Sequence, residues 1–120
     1  MTKHINLYSK FDKFEDHWSP KVIAEMNDYQ FKLVKIKGEF VKHQHSNTDE
    51  VFIVIEGKMS IEFETETIEI KSGEMIVVPK GLVHKPFADE ECKVMLVEPR
   101  GVLNTGYTKG DLAALIDHWI

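Results

Sequence analysis

Apolar residues recur along this chain in short alternating runs broken by glycine, proline and polar turns. Met59, Ile61 and Phe63 alternate with Ser60, Glu62 and Glu64, and Ile68 and Ile70 alternate with Glu69 and Lys71. In an extended chain successive side chains leave opposite faces, so each run offers one face to a core and the other to water. The same reading places β-prone runs at Val22 to Met26 and Tyr29 to Lys37, joined by a tight hairpin at Asn27-Asp28. Further strands are predicted from Glu39 to His45, Glu50 to Glu56, Met75 to Val78 and Lys93 to Glu98. Ser46 to Asp49 is a polar turn, Gly57 and Ser72-Gly73 break hairpins, and Pro79, Gly81 and Pro86 punctuate a short stretch around His84. Short strands and short turns at this density predict an all-β protein, an antiparallel barrel or sandwich.

The two ends of the chain read differently. Leu7, Phe11, Phe14 and Trp18 fall at helical spacing, with Ser9 as a candidate cap and Pro20 as the stop. Leu112, Leu115, Ile116 and Trp119 form one apolar face of a second helix that starts at Gly110-Asp111 and is expected to cover an open end of the barrel. Two strands do not alternate: Val51 to Ile55 and Met75 to Val78 are apolar on both faces. Such strands need cover outside as well as inside. The N-terminal segment or a second copy of the chain would supply it, and a homodimer is expected.

Size and charge narrow the field. A chain of 120 residues suits one domain, taken as 1–120, and buries a core without staples. The net charge of −5 and the lack of any lysine–arginine block argue against a nucleic-acid partner. Cys92 is the single cysteine, so no internal disulfide can form, and its acidic neighbours Asp89 to Glu91 should raise the thiol pKa. The N-terminus has no apolar leader-like run. The longest aliphatic and aromatic run, Val51 to Ile55, is far short of the roughly twenty residues of a membrane helix. A soluble, cytoplasmic protein with no membrane partner is expected.

Four residues carry the chemistry. His43 and His45 are two apart in an extended segment, so both imidazoles leave one face. Glu50 follows a turn that returns the chain beside them, and His84 sits on a backbone path set by Gly81 and Pro86. Neutral imidazole and carboxylate suit Mn, Fe, Co, Ni, Cu or Zn. His4, His17 and His118 lack such company and read as surface or structural residues.

The spacing of these residues resembles the two motifs of the cupin superfamily. The first is carried by Gly38, His43, His45, Glu50 and Gly57, and the second by Gly73, Pro79, Gly81 and His84. Two departures stand out: four residues rather than five separate Gly38 from His43, and Ala88 replaces the usual final asparagine. Neither touches a ligand position. The tail from Leu96 to Gly106 is similar to that of small single-domain cupins described as like mannose-6-phosphate isomerase. The resemblance implies a jelly-roll barrel with short terminal helices and a divalent transition metal, Fe or Mn favoured, held by His43, His45, Glu50 and His84. Alternation places Val41, Phe52 and Val54 beside those ligands as the wall of a small-molecule pocket. The resemblance further implies a metal-dependent dioxygenase, isomerase or epimerase. A non-catalytic module that holds metal or a small ligand is the alternative, because a fold alone does not fix an activity.

Overall fold

The strands form largely where alternation places them. The computed structural model describes residues 2–104, 106 and 117–120. A short helix α1 (Leu7–Phe11) precedes seven strands: β1 (Lys21–Met26), β2 (Tyr29–Glu39), β3 (Glu50–Glu56), β4 (Lys58–Glu62), β5 (Thr67–Lys71), β6 (Met75–Val78) and β7 (Lys85–Pro99). Every pairing among these strands is antiparallel. One layer runs in the order β1-β2-β7-β3-β6, and β4 joins β5 to the opening residues of β7. The long strand β7 is shared: its residues Lys85 to Phe87 pair with β4, and Lys93 to Val97 pair with β3. This is the expected all-β jelly roll.

Side chains alternate between two cores. Val34, Ile36, Phe52, Val54, Met59, Ile61, Val94 and Leu96 fill the interior. On the outside, Phe11 and Phe14 of the N-terminal segment pack on Ile23 and Leu33, with Ile55 and Met95 at the margin. The N-terminal segment thus covers part of the doubly apolar sheet. It leaves Met75 and Val77 of β6 57% and 51% exposed.

The structure corrects four local expectations. The first helix stops at Phe11, and its cap is Asn6, whose side chain accepts from the Ser9 backbone N–H at 3.0 Å, so Ser9 is not the cap. Trp18 also leaves the group it was placed in. Phe11 and Phe14 pack outside the sheet and Trp18 inside, which no single helical face can do. A positive φ of 61° at Trp18 turns the chain, and the indole Nε1 donates to the Lys37 carbonyl at 2.9 Å. The strand expected from Glu39 to His45 ends at Glu39, because Pro86, which faces the next residue Phe40, has no N–H to continue the ladder. By contrast the strand expected at Lys93 to Glu98 grows to fifteen residues, since Ala88 and Cys92 pair with β2 on either side of the exposed acids.

The predicted C-terminal helix, Gly110 to Trp119, falls mainly on 110–116, outside the described residues. Trp119 forms a parallel bridge to Val22, and the Ile120 carbonyl accepts from Lys10 Nζ at 2.9 Å. No helix among the described residues is long and apolar enough to cross a membrane.

Candidate metal centre

The two histidine-bearing segments are tied together by backbone bonds. His43 N–H donates to the His84 carbonyl at 2.9 Å, and His84 N–H donates back to the His43 carbonyl at 2.8 Å. Gly81 N–H donates to the His45 carbonyl at 2.8 Å, from a backbone with φ of 79° that favours glycine. Glu50 opens β3 on the inward side, two residues before Phe52. All four side chains are buried.

The imidazoles are oriented by their own backbone. His43 Nδ1 lies 2.9 Å from the Val41 carbonyl, and His84 Nδ1 lies 2.9 Å from the Leu82 carbonyl. A carbonyl only accepts, so each Nδ1 carries the proton and each Nε2 presents a lone pair. The Nε2 atoms of His43, His45 and His84 and Oε1 of Glu50 are buried and have no hydrogen-bond partner. Candidate ligand atoms of the four residues lie within 4.8 Å of one another. Glu50 Oε1 is 3.4 Å from His45 Nε2 and 3.5 Å from His84 Nε2. Donor atoms about 2.1 Å from a common ion stand about 3 to 4 Å apart, so the group could hold one.

Charge favours the same use. Burial holds the His43 imidazole down at about 4, and the neighbouring His84 adds to the effect. His43 is therefore neutral at ordinary pH, as a ligand must be. Burial alone would raise the Glu50 carboxyl, but the His45 and His84 imidazoles packed beside it outweigh burial and keep Glu50 well below the usual carboxylate range. Three imidazoles and one carboxylate form a borderline donor set for a divalent transition ion.

The expected pocket residues separate. Phe52 lines a cavity of about 30 Å³ together with His43, Glu50, Trp18, Phe40 and Leu96. Val54 lies deep in the interior core, and Val41 packs half-buried against it. A wider cavity of about 490 Å³ opens beside His45, between Ser46 to Thr48 and Pro99 to Leu103. Cys92 stays out of the chemistry: burial first, and the Glu56 charge next, push its thiol up to about 11. Its exposed acidic neighbours are not the cause.

Sequence reasoning missed two buried charges. Lys32 Nζ meets Glu98 Oε1 at 2.8 Å inside the barrel. Their alternation signal was present, since Lys32 shares parity with the inward Val34 and Ile36, and Glu98 with Val94 and Leu96. A charged residue at an inward position is the mark that would have found them.

The chain is thus a small antiparallel barrel with three imidazoles and a carboxylate gathered at one interior point, a group that could hold a metal ion. The comparisons make the family plain: residues 32–98 match the cupin domain model, and the chain belongs to that family. It is 35% identical over 86 residues to the uncharacterised protein YdbB of Bacillus subtilis, covering 71% of this chain and 76% of that one. A crystal structure of a cupin-2 domain containing protein from Shewanella frigidimarina is 62% identical, with a TM-score of 0.79, covering 80% of this chain and 94% of that one. Protein NMB1881 from Neisseria meningitidis is 33% identical, with a TM-score of 0.75, covering 81% and 99%.

Proposed function

We propose that residues 1–120 form one cupin domain that holds a divalent transition metal on His43, His45, Glu50 and His84 and acts enzymatically on a small molecule. The observation that carries this reading is the set of four buried, convergent donor atoms without a partner. Buried polar atoms are ordinarily satisfied, so four orphans at one point call for a guest. Iron or manganese is the expected native ion. Nickel, zinc, cobalt or copper would also fit the donor set and compete during purification. When bound, the ion supplies Lewis-acid polarisation of a ligand oxygen. The protein's own part is to orient and exclude water: Trp18, Phe40 and Phe52 wall the inner side of the site with apolar surface. A dioxygenase, isomerase or epimerase acting on a small oxygenated substrate fits this arrangement.

The test is oxygen uptake by the iron(II)-loaded protein over catechols, diketones and thiols, together with sugar-isomerase assays. Turnover that His84→Ala abolishes supports the enzyme. A complete lack of turnover in both series supports the second reading, a non-catalytic module for metal or a small ligand. One observation favours that alternative. Among the described residues, the small cavity is lined by no ionisable side chain besides His43 and Glu50, so no separate general base stands there.

The same proposal includes a second copy of the chain as partner, in the cytoplasm, where Cys92 stays reduced. β6 is the last strand of its layer, with Met75 and Val77 exposed beside an unpaired edge. Such an edge invites another strand. Glu74 and Lys80 flank it at opposite ends, so antiparallel pairing of two copies brings unlike charges together. A two-chain mass in sedimentation, reduced to one chain by Val77→Lys, is expected. A one-chain mass for the native protein at micromolar concentration contradicts the partner.

A further inference from the structure

Behind Glu50 lies an ion pair that metal binding alone leaves without a purpose. Lys32 on β2 and Glu98 on β7 meet at 2.8 Å with side chains 4% and 1% exposed. Taking both charges out of water costs several kcal/mol per ion before their attraction offsets it. Replacing such a pair by apolar residues is often neutral or stabilising, so stability is a weak reason for its presence.

Its location supplies a better reason. The register that sets Val51 against Val97 brings Glu98 beside Glu50 on the inner face. Burial first, and the Glu50 charge beside it next, push the Glu98 carboxyl up. Glu50 therefore has the imidazoles on one side and Glu98 on the other. Its contacts to His45 and His84, at 3.4 and 3.5 Å, are too long to fix a carboxylate by themselves. Lys32 holds Glu98 through Oε1, while Glu98 Oε2 has no side-chain donor of its own. The result is a chain of side chains, Lys32 to Glu98 to Glu50, that ends at the convergent donor atoms.

We propose that Glu98, anchored by Lys32, is a positioning residue that aims the Glu50 carboxylate at the three imidazoles and so sets the affinity and geometry of the metal centre. This rests on the metal-centre reading above. Partners that orient a ligating group in this way typically change metal affinity by about 10–100-fold when lost.

The test uses cobalt(II) as the probe, followed by its visible ligand-field spectrum and by titration, in the full chain. The double variant Lys32→Met/Glu98→Leu removes both members of the pair together. It is expected to fold with native-like melting in the metal-free state. Its cobalt affinity is expected to fall by about 10–100-fold, with an altered spectrum. Glu98→Gln keeps an oxygen for Lys32 and gives Glu50 an N–H donor, so it is expected to retain the native spectrum. A folded double variant with native affinity and spectrum overturns the proposal. So does a Glu98→Gln protein whose spectrum is lost, which decides the matter even if the double variant folds poorly. Native protein that binds no cobalt at all would instead overturn the metal-centre reading.

Discussion

Two clusters of buried polar side chains lie in different parts of the barrel, one on the outer side of β1 and β2 and one inside it around the start of β3, and they differ in one respect. On the outer face, Lys35 Nζ donates to the Phe14 carbonyl at 2.6 Å, and Lys21 Nζ donates to Asp16 at 2.7 Å and Ser19 at 3.0 Å. Both ammonium groups also lie over the Phe14 ring, at 5.1 and 5.4 Å. That cluster closes on itself and latches the N-terminal segment to the sheet. On the inner face, His43, His45, Glu50 and His84 bring four buried ligand atoms, none hydrogen-bonded, within 4.8 Å of one another. A closed polar cluster serves the fold. An open one of this kind could hold a ligand, because the fold alone has no reason to strand four buried acceptors.

The largest effects should separate the two faces. Glu50→Ala or His84→Ala is expected to reduce metal affinity by much more than the roughly 10–100-fold typical of a supporting residue. Either variant should also lose the rise in melting temperature that added metal gives the native protein. A native-sized metal response in differential scanning fluorimetry would break the comparison on the inner side. On the outer side, Phe11→Ala is expected to cost about 3–5 kcal/mol of stability, as for a fully buried phenylalanine. Its folded fraction should bind metal as the native protein does. Lys35→Met leaves the Phe14 carbonyl without its donor and should cost a smaller amount, about 1–3 kcal/mol by chemical denaturation. A change in metal affinity in either outer variant would show that the clusters are not independent.

Acid should act on the inner cluster first. His43 titrates at about 4 in the fold against an ordinary 6.5, so the unfolded chain takes up its proton before the folded one. The stabilisation this gives is complete above about pH 6.5 and is lost as pH falls toward about 4. Metal-free protein should therefore melt at progressively lower temperature across that window, with a shallower fall in His43→Gln. Equal pH slopes in the two proteins would contradict the assignment.

Much of this was legible in the chain, and the gaps have physical reasons. The alternation of Met59, Ile61 and Phe63 and the Asn27-Asp28 hairpin were readable because a strand reports its burial through its own neighbours. The four candidate ligands were readable because two of them share a strand-like face and the rest follow fixed spacings. Trp18 was not, because helical spacing alone cannot say which side of a sheet a side chain will reach. The Lys32–Glu98 pair was not, because its partners are 66 residues apart and each looks like a surface charge beside its neighbours. The half-covered outer face lay between: apolar strands announced a need for cover, but not that Phe11 and Phe14 would meet part of it and leave Met75 and Val77 open.

The most direct measurement is the metal content per chain of protein purified from its native source, compared with His84→Ala prepared the same way. About one divalent transition ion per native chain and almost none in the variant is the predicted result. A native protein free of such metal, and unable to take up iron, manganese or cobalt when offered, would contradict the central claim.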